Sequence, residues 1–208
     1  MFPNFCHNCG REDGFLCGRC FHSVTFQPHV RDLNGLEAMC ALYYEPESLL
    51  GELVHFYKFE HGQALKALFT SWMQEVLRLF LGGRRSIALI PAPSSPRHFH
   101  DRGFDPATEL ARCLGSTMEV PIFEILKRHD DSDVFQHALS RDERKSHAEG
   151  LFDVIGTIPK GYELVLVDDI VTTGSTLLSA QTALAEAGIS VKRAITLADR
   201  ALSHDHRH

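Results

Sequence analysis

The clearest periodic pattern in the chain predicts an amphipathic helix between residues 65 and 80. Its apolar residues recur three or four positions apart, which places them on one face of a helix. They are Leu65, Leu68, Phe69, Trp72, Met73, Val76, Leu77 and Phe80. Gly82-Gly83 ends the pattern, as expected at a helix C-terminus. We interpret this apolar stripe as core-facing, whereas residues 23–60 are mixed and contain aromatic-rich stretches.

Strands and helices alternate from residue 86 onward. The pattern predicts strands over residues 86–90, 123–126, 151–154, 163–167 and 191–198. It predicts one helix after Asp105-Pro106, an N-cap followed by a first-turn proline, and another after residue 175, closed by Gly188. The run at 163–167 is rich in Val and Leu, which is typical of a central parallel strand. This alternation predicts an α/β fold with a doubly wound parallel sheet flanked by helices.

The composition is that of an ordinary globular protein. The chain has 208 residues, of which 44% are hydrophobic and 23% charged, enough for one full-sized core and a small appendage. No apolar run reaches the ~20 residues of a membrane-spanning helix, and the first residues lack the pattern of a secretory signal. We therefore expect a cytoplasmic protein without membrane insertion. The net charge of -6 excludes a globally basic nucleic-acid-binding surface but not a local basic patch.

Four of the six cysteines form two Cys-x-x-Cys pairs near the start of the chain: Cys6, Cys9, Cys17 and Cys20. Two such turns complete a tetrahedral sulfur shell, so we predict a small knuckle at residues 1–24 that holds a structural Zn²⁺. A segment this short cannot bury its own core, and the metal would supply its folding energy. The alternatives are unligated thiols, a single redox dithiol, or iron in the same four-sulfur site. Cys40 and Cys113, among apolar neighbours, are predicted to be small core residues.

The stretch from Val165 to Leu177 carries the most chemistry. Asp168 and Asp169 follow a buried strand, at the sheet edge where ligands of open α/β folds bind. The segment from Thr172 to Thr176 then opens a helix, and its backbone N–H groups and hydroxyls can wrap a phosphate. The carboxylates suit the vicinal hydroxyls of a ribose, or a Mg²⁺ ion attached to it. The pattern therefore predicts a site for a ribose 5-phosphate unit.

Three other interpretations of this stretch fit its residues less well. A nucleotide-hydrolysing P-loop needs a Lys after its glycine, and this loop has none. A receiver domain also uses strand-end carboxylates, but its acidic pair comes early in the chain. A merely capped helix with solvated acids would leave two adjacent carboxylates at a buried strand end without a partner, which is costly.

This stretch resembles the phosphoribosyl pyrophosphate (PRPP) signature of type I phosphoribosyltransferases. The chain as a whole resembles the ComF family of competence-associated ComFC and GntX-like proteins. The resemblance covers nearly the entire chain and rests on the cysteine knuckle, Tyr57-Lys58-Phe59, Pro91-Ala92-Pro93, Arg102-Gly103-Phe104, Gln136 with Leu139, Glu143-Arg144, Gly150-Leu151-Phe152 and the PRPP loop. The chain departs from the family pattern at Asp105-Pro106, at His147 and at Ala198-Asp199-Arg200.

The resemblance implies a role for each residue of the loop. Asp168 and Asp169 would hold the ribose hydroxyls, and the 5-phosphate would bind Thr172, Thr173, Gly174, Ser175 and Thr176. Arg97 and Arg102 would face the pyrophosphate and its Mg²⁺. Residues 84–102 contain four arginines against one acid, so this region carries the positive charge that a pyrophosphate requires. No general base is assigned, because His98, His100 and His147 are candidates only by residue type.

Three segments are expected: the knuckle at 1–24, a helical hood segment at 25–85 that packs on the core, and a phosphoribosyltransferase-like α/β domain at 86–208. The resemblance implies a PRPP-binding protein linked to DNA uptake, a possible phosphoribosyltransferase whose acceptor is unassigned. The alternative is a non-catalytic protein that binds single-stranded DNA or partners a competence helicase, with the PRPP pocket used for sensing. Its support is two basic clusters and two aromatics that can stack on bases: Arg84, Arg85, Arg97 and Arg102; Arg141, Arg144 and Lys145; Phe99 and Phe104.

Overall fold

The computed structural model describes residues 5–6, 8–12, 16–24, 26–43, 45, 47–59, 65–82, 86–129 and 150–200. Helices and strands follow one another along the chain in an order typical of an α/β protein. They are α1 (Gly18–Ser23), β1 (His29–Leu33), β2 (Leu36–Tyr43), α2 (Leu49–Phe59), α3 (Lys66–Leu81), β3 (Ile87–Pro91), α4 (Pro96–Arg102), α5 (Pro106–Met118), β4 (Leu126–Arg128), β5 (Phe152–Val154), β6 (Glu163–Val171), α6 (Ser175–Glu186) and β7 (Arg193–Asp199).

A five-stranded sheet in the order β1-β2-β7-β6-β3 forms the centre of the molecule. Strands β2, β7, β6 and β3 run parallel to their neighbours, and only β1, at the edge, is antiparallel to its partner β2. Strand β3 is buried along its whole length, and β7 is buried from its second residue onward. The predicted α/β class with a parallel sheet and flanking helices is confirmed.

Helices and small strands cover both faces of this sheet. On one face α3 and α5 pack against side chains such as Val165, Val167 and Ile195. On the other, α6 and the antiparallel pair β4–β5 pack against Leu166 and Ala194. The predicted helix at 65–80 is α3, which ends at Gly82 in a left-handed conformation (φ 58°) as its sequence indicates. Within the described residues no helix combines the length and apolarity that crossing a membrane requires.

Two predicted strands have an end that differs from the structure by more than two residues. The strand expected at 123–126 lies at Leu126–Arg128, because residues 121–123 instead exchange hydrogen bonds with Leu89 of β3. The central strand predicted at 163–167 continues to Val171, because its pairing with β7 extends to Asp199. Asp168 and Asp169 therefore lie inside β6, near its carboxyl end, and not after the strand.

The β1–β2 hairpin was not predicted. Its turn is Asn34-Gly35, both with positive φ (51° and 91°), the signature of a type I′ hairpin turn. Because β2 pairs with β7, two strands from residues 25–85 belong to the main sheet. The predicted division into segments at 1–24, 25–85 and 86–208 stays a prediction.

The two cysteines outside the N-terminal pairs differ in burial. Cys40 is completely buried on β2, as predicted for a core residue, whereas Cys113 on α5 is only half-buried.

Candidate functional site

An open cavity of about 650 Å³ lies at the carboxyl ends of the parallel strands, a volume typical of a small-molecule site. It brings together several of the residues singled out in the sequence: Asp168, Asp169, Thr172, Thr176, His98 and Arg102. Helix α2 forms the opposite wall, and the loop after β3 contributes Ala92, Pro93 and Ser94. The strand-end loop and the region around α4 therefore meet in one cavity, although they are distant in sequence.

The two adjacent carboxylates are buried at the end of β6, each about 8% exposed. Asp168 accepts a hydrogen bond from the backbone N–H of Asp169 (2.8 Å), and Asp169 accepts one from Ile170 (2.7 Å). Burial, followed by the charge of Asp169, raises the pKa of Asp168 well above its ordinary value. Carboxylate oxygens are good acceptors for hydroxyls and preferred ligands of Mg²⁺, so the pair fits a ribose diol with or without that ion.

Lys58 on α2 reaches across the cavity to this carboxylate pair. Its Nζ lies 2.8 Å from Oδ2 of Asp169, and the lysine side chain is 17% exposed. In the sequence, Tyr57-Lys58-Phe59 contributes only to the family resemblance, and no role is predicted for Lys58. The sequence signal that could have indicated a role is that Lys58 is the only lysine or arginine in the largely apolar, aromatic stretch of α2. The next residue contacts another wall of the cavity: the guanidinium of Arg102 stacks 4.6 Å from the ring centroid of Phe59.

The loop from Thr172 to Thr176 leads into α6 in a form suited to an anion. Gly174, with φ of 84°, is the N-cap residue of α6 and has no side chain to cap the helix, while the N–H of Ser175 donates to Oγ1 of Thr173 (3.3 Å). A Cβ at Gly174 would lie 2.8 Å from Leu33 of β1, so glycine is required both for its conformation and for this close approach. Thr172, Gly174, Ser175 and Thr176 line a small hollow beside the main cavity.

A cation from the β1–β2 hairpin supports the same loop. Arg31 donates from Nη1 to the carbonyl oxygen of Thr172 and to Oδ1 of Asp199, both at 2.8 Å. His29 lies 3.2 Å from the other oxygen of Asp199. Asp199 belongs to the Ala-Asp-Arg stretch that departs from the family pattern, and Arg200 lines the cavity. The hairpin, unpredicted from the sequence, thus fixes the start of the candidate phosphate loop.

The arginines assigned to the pyrophosphate occupy different positions. Arg102, at the end of α4, lines the cavity, and its Nε is buried without a hydrogen bond to the described part of the chain. Arg97 lies on the exposed surface of α4 and is not among the residues that line the cavity. Arg128 of β4 lines the cavity and was not predicted. Several residues considered from the sequence lie outside the described ranges: Arg84, Arg85, Arg141, Arg144, Lys145 and His147.

Asp105 ties the loop after β3 to the helix that follows. One of its oxygens accepts a hydrogen bond from the backbone N–H of Thr108, so it is the N-cap of α5, as predicted. The other oxygen accepts a hydrogen bond from the backbone N–H of Ser94, which lines the cavity. A residue that departs from the family pattern therefore both starts α5 and positions the cavity wall.

The four N-terminal cysteines form a cluster. Their sulfur atoms all lie within 4.8 Å of one another, and three of the residues are buried while Cys9 is exposed. Burial acts to raise the pKa of Cys6, but hydrogen bonds from the backbone of Cys17, Cys9 and Asn8 outweigh it and lower this pKa to about 6. A hydrogen bond from Asn8 acts to lower the pKa of Cys20, but burial and the neighbouring sulfurs raise it to about 12. Four thiolates this close need a cation between them, so the donor set fits a tetrahedral metal.

Several known proteins are similar to this chain in sequence. The family model described as "Phosphoribosyl transferase domain" matches residues 100–207, just over half of the chain. The chain belongs to this phosphoribosyl transferase domain family. Competence protein ComFC of Bacillus subtilis is 27% identical over 191 residues, covering 89% of this chain and 73% of that protein. Competence protein F of Haemophilus influenzae is 25% identical over 203 residues, with 90% and 81% covered.

These relatives, together with the cysteine cluster, confirm the resemblance of this phosphoribosyl transferase domain protein to the ComF family. Among solved structures, adenine phosphoribosyltransferase from Leishmania tarentolae matches with a TM-score of 0.42 and 12% identity. That match covers 82% of this chain and 94% of that one.

Proposed function

We propose that this protein binds PRPP in the cavity at the carboxyl ends of its sheet and is a phosphoribosyltransferase-like member of the ComF family. The observation that carries the proposal is that a buried carboxylate pair and the loop that leads into α6 face the same cavity. Asp168 and Asp169 accept the ribose hydroxyls, and the loop from Thr172 to Thr176 receives the 5-phosphate. Arg102 lies where it can meet the pyrophosphate.

The arrangement also suits transfer of the phosphoribosyl group to an acceptor. As pyrophosphate leaves the anomeric carbon, positive charge develops on the ribose ring, and Asp168 and Asp169 place negative charge beside it. Arg102 stabilises the charge of the departing pyrophosphate. Mg²⁺, when bound with PRPP, further neutralises that charge. Catalysis would then consist of positioning and electrostatics. Of the two base candidates within the described residues, His98 and His100, His98 lines the cavity.

We infer that the knuckle holds a structural Zn²⁺ through Cys6, Cys9, Cys17 and Cys20. Four sulfur ligands leave no open position for a substrate, so the ion supplies folding energy and not chemistry. Helix α1 begins directly after Cys17, and its Phe21 stacks on Trp72 of α3 with ring centroids 5.8 Å apart. The metal would thereby hold the knuckle against the helical layer.

Calorimetric titration with PRPP and Mg²⁺ tests the pocket. We expect the intact, metal-loaded chain to bind PRPP and the variant Asp168→Ala/Asp169→Ala to lose detectable binding, because both hydroxyl acceptors are removed. Asp153→Ala, an exposed carboxylate on β5, is the matched control and should bind as the wild type does. Failure of the folded wild type to bind PRPP would contradict the proposal.

A role in DNA uptake is a second proposal, and it rests on the names of the relatives, which are competence proteins. In that role the chain would bind single-stranded DNA or a competence helicase, with PRPP as a sensed ligand. Phe99 on α4, 52% exposed between Arg97 and Arg102, is a candidate for stacking on a base.

A further inference from the structure

We propose that Lys58 is the residue by which this pocket distinguishes PRPP from ligands that lack the pyrophosphate. In the free protein Lys58 pairs with Asp169, and on PRPP binding its ammonium group moves to a pyrophosphate oxygen as a ribose hydroxyl takes over Asp169. This inference rests on the proposed function, because it assumes that Asp169 accepts a ribose hydroxyl.

The lysine is held on the wall of the cavity by its neighbours on α2. Tyr57 is completely buried, packs edge-on against Phe69 and Phe104, and donates from its hydroxyl to the carbonyl oxygen of Pro106 (3.4 Å). Phe59, on the other side, lies under the guanidinium of Arg102. Lys58 is thus fixed at its backbone, while its long side chain extends into the cavity and reaches Asp169.

The chemistry of the ligand places its pyrophosphate next to this contact. In PRPP the pyrophosphate is attached to the carbon beside the one that bears the 2-hydroxyl, whereas the 5-phosphate lies at the far end of the ring. With the 5-phosphate at the start of α6, the pyrophosphate extends away from that loop. The opposite wall is made by α2 and α4. There Phe59, which follows Lys58 in the chain, packs under the guanidinium of Arg102. A cation that touches the hydroxyl-binding carboxylate therefore lies within reach of the pyrophosphate.

The ion pair gives a physical reason for selectivity. A hydroxyl that displaces Lys58 from Asp169 leaves a largely buried ammonium group without its counter-charge, which is costly. PRPP supplies a new anionic partner for that group in the same event, and ribose 5-phosphate does not. Breaking the Lys58–Asp169 ion pair should thus weaken the binding of ribose 5-phosphate. PRPP offsets this cost, because its pyrophosphate accepts a charge-assisted hydrogen bond from Lys58.

The test is to titrate both ligands, PRPP and ribose 5-phosphate, in the presence of Mg²⁺ into the wild type, Lys58→Met and Lys58→Arg. We expect Lys58→Met to weaken PRPP binding by about 10- to 100-fold, the usual cost of losing a hydrogen bond to a charged group. Ribose 5-phosphate should bind this variant as well as the wild type or more tightly, because no ion pair has to be broken. Lys58→Arg should retain most of the selectivity for PRPP.

Lys66→Met is the matched control. Lys66, on α3, also pairs with a carboxylate at 2.8 Å, that of Glu109, but it does not line the cavity. This variant should leave the affinities for both ligands unchanged. Thermal unfolding of every variant establishes that the protein is folded at the temperature of the titration. If Lys58→Met is not folded, Lys58→Gln, which also removes the charge but keeps a polar side chain, replaces it with the same expected result.

Equal losses of affinity for both ligands in Lys58→Met would overturn the inference, since Lys58 would then only organise Asp169. Unchanged affinity for PRPP would overturn it as well. Both results leave the proposed PRPP pocket intact, because the wild type still binds. A wild type that binds neither ligand instead removes the proposed function, and this inference with it.

Discussion

Asp168 has opposing effects on stability and on the proposed binding. Burial and the adjacent Asp169 raise its pKa, so its ionised form destabilises the fold, while Lys58 acts in the opposite direction. The same ionised oxygens are the ones that a ribose hydroxyl or Mg²⁺ would use. Such conflicts between stability and local charge are typical of binding sites.

The variant Asp168→Asn should therefore be more stable than the wild type at neutral to alkaline pH. A carboxyl whose pKa is raised by folding binds protons more tightly in the folded state, so stability falls as pH rises through the folded-state pKa. Asparagine removes this ionisation and keeps an oxygen that can accept from the N–H of Asp169. We expect a melting temperature about 2–4 °C higher, corresponding to about 1 kcal/mol in a chain of this size.

Melting curves measured from acid to mildly alkaline pH check this expectation. The difference should shrink toward the ordinary pKa of aspartate, where Asp168 is protonated in both the folded and the unfolded chain. Asp153→Asn, at an exposed carboxylate that contacts His129, is the control and should not raise the melting temperature. A lower melting temperature for Asp168→Asn at every pH would contradict the argument.

At the scale of elements, the knuckle and the helical layer are joined by aromatic packing. Phe21 of α1 stacks on Trp72 of α3, and Trp72 in turn stacks on Phe69 at 5.9 Å. Trp72 is the only tryptophan in the chain and is 7% exposed. Its fluorescence therefore reports on the contact between α1 and α3.

Removal of the metal with a chelator should loosen α1, because Cys6, Cys17 and Cys20 form the buried cluster of the described part of this segment. We expect the emission of Trp72 to shift to longer wavelength as Phe21 leaves it, in proportion to the metal released. Metal analysis of the same samples identifies the ion and its stoichiometry. The variant Cys6→Ser/Cys9→Ser should show the shifted emission before chelator is added. Full metal release without any spectral change would contradict a structural role for the ion.

At the scale of the whole molecule, an acidic protein concentrates cations around one cavity. The net charge is -6, yet the cavity is lined by four cations, Lys58, Arg102, Arg128 and Arg200, against three carboxylates, those of Glu52, Asp168 and Asp169. This arrangement favours a compact, highly charged anion in the cavity over a long polyanion spread across the surface. A DNA-binding role would use a local basic patch, for which the sequence indicates residues 84–102.

Single-stranded DNA binding can be measured by the fluorescence anisotropy of a labelled oligonucleotide at several salt concentrations. If the second proposal holds, Arg84→Ala/Arg85→Ala should make the salt dependence less steep by about 1.4 in log–log slope, from two lost phosphate contacts. Phe99→Ala should cost about 1–3 kcal/mol of stacking. Phe80→Ala, at an exposed aromatic of α3, serves as the control. Affinity that does not respond to salt, or to Arg84 and Arg85, would contradict this proposal.

Local sequence determined the parts of this protein whose structure depends on neighbouring residues. The stripe at 65–80 is α3, Asp105 caps α5, and the Cys-x-x-Cys pairs form one cluster. The loop from Asp168 to Thr176 was also recognisable, because strand, carboxylates and helix start are contiguous in the chain. Short-range periodicity and capping chemistry suffice for such features.

Tertiary structure alone decided what faces that loop. The β1–β2 hairpin enters the main sheet beside β7 and carries Arg31 to the carbonyl of Thr172, although Asn34-Gly35 signals only the turn. Lys58 meets Asp169 because α2 packs over the sheet edge, and Arg102, unlike Arg97, lies on the side of α4 that borders the cavity. These contacts join residues far apart in the chain. Long-range packing and strand pairing determine them, and no local pattern in the sequence encodes either one.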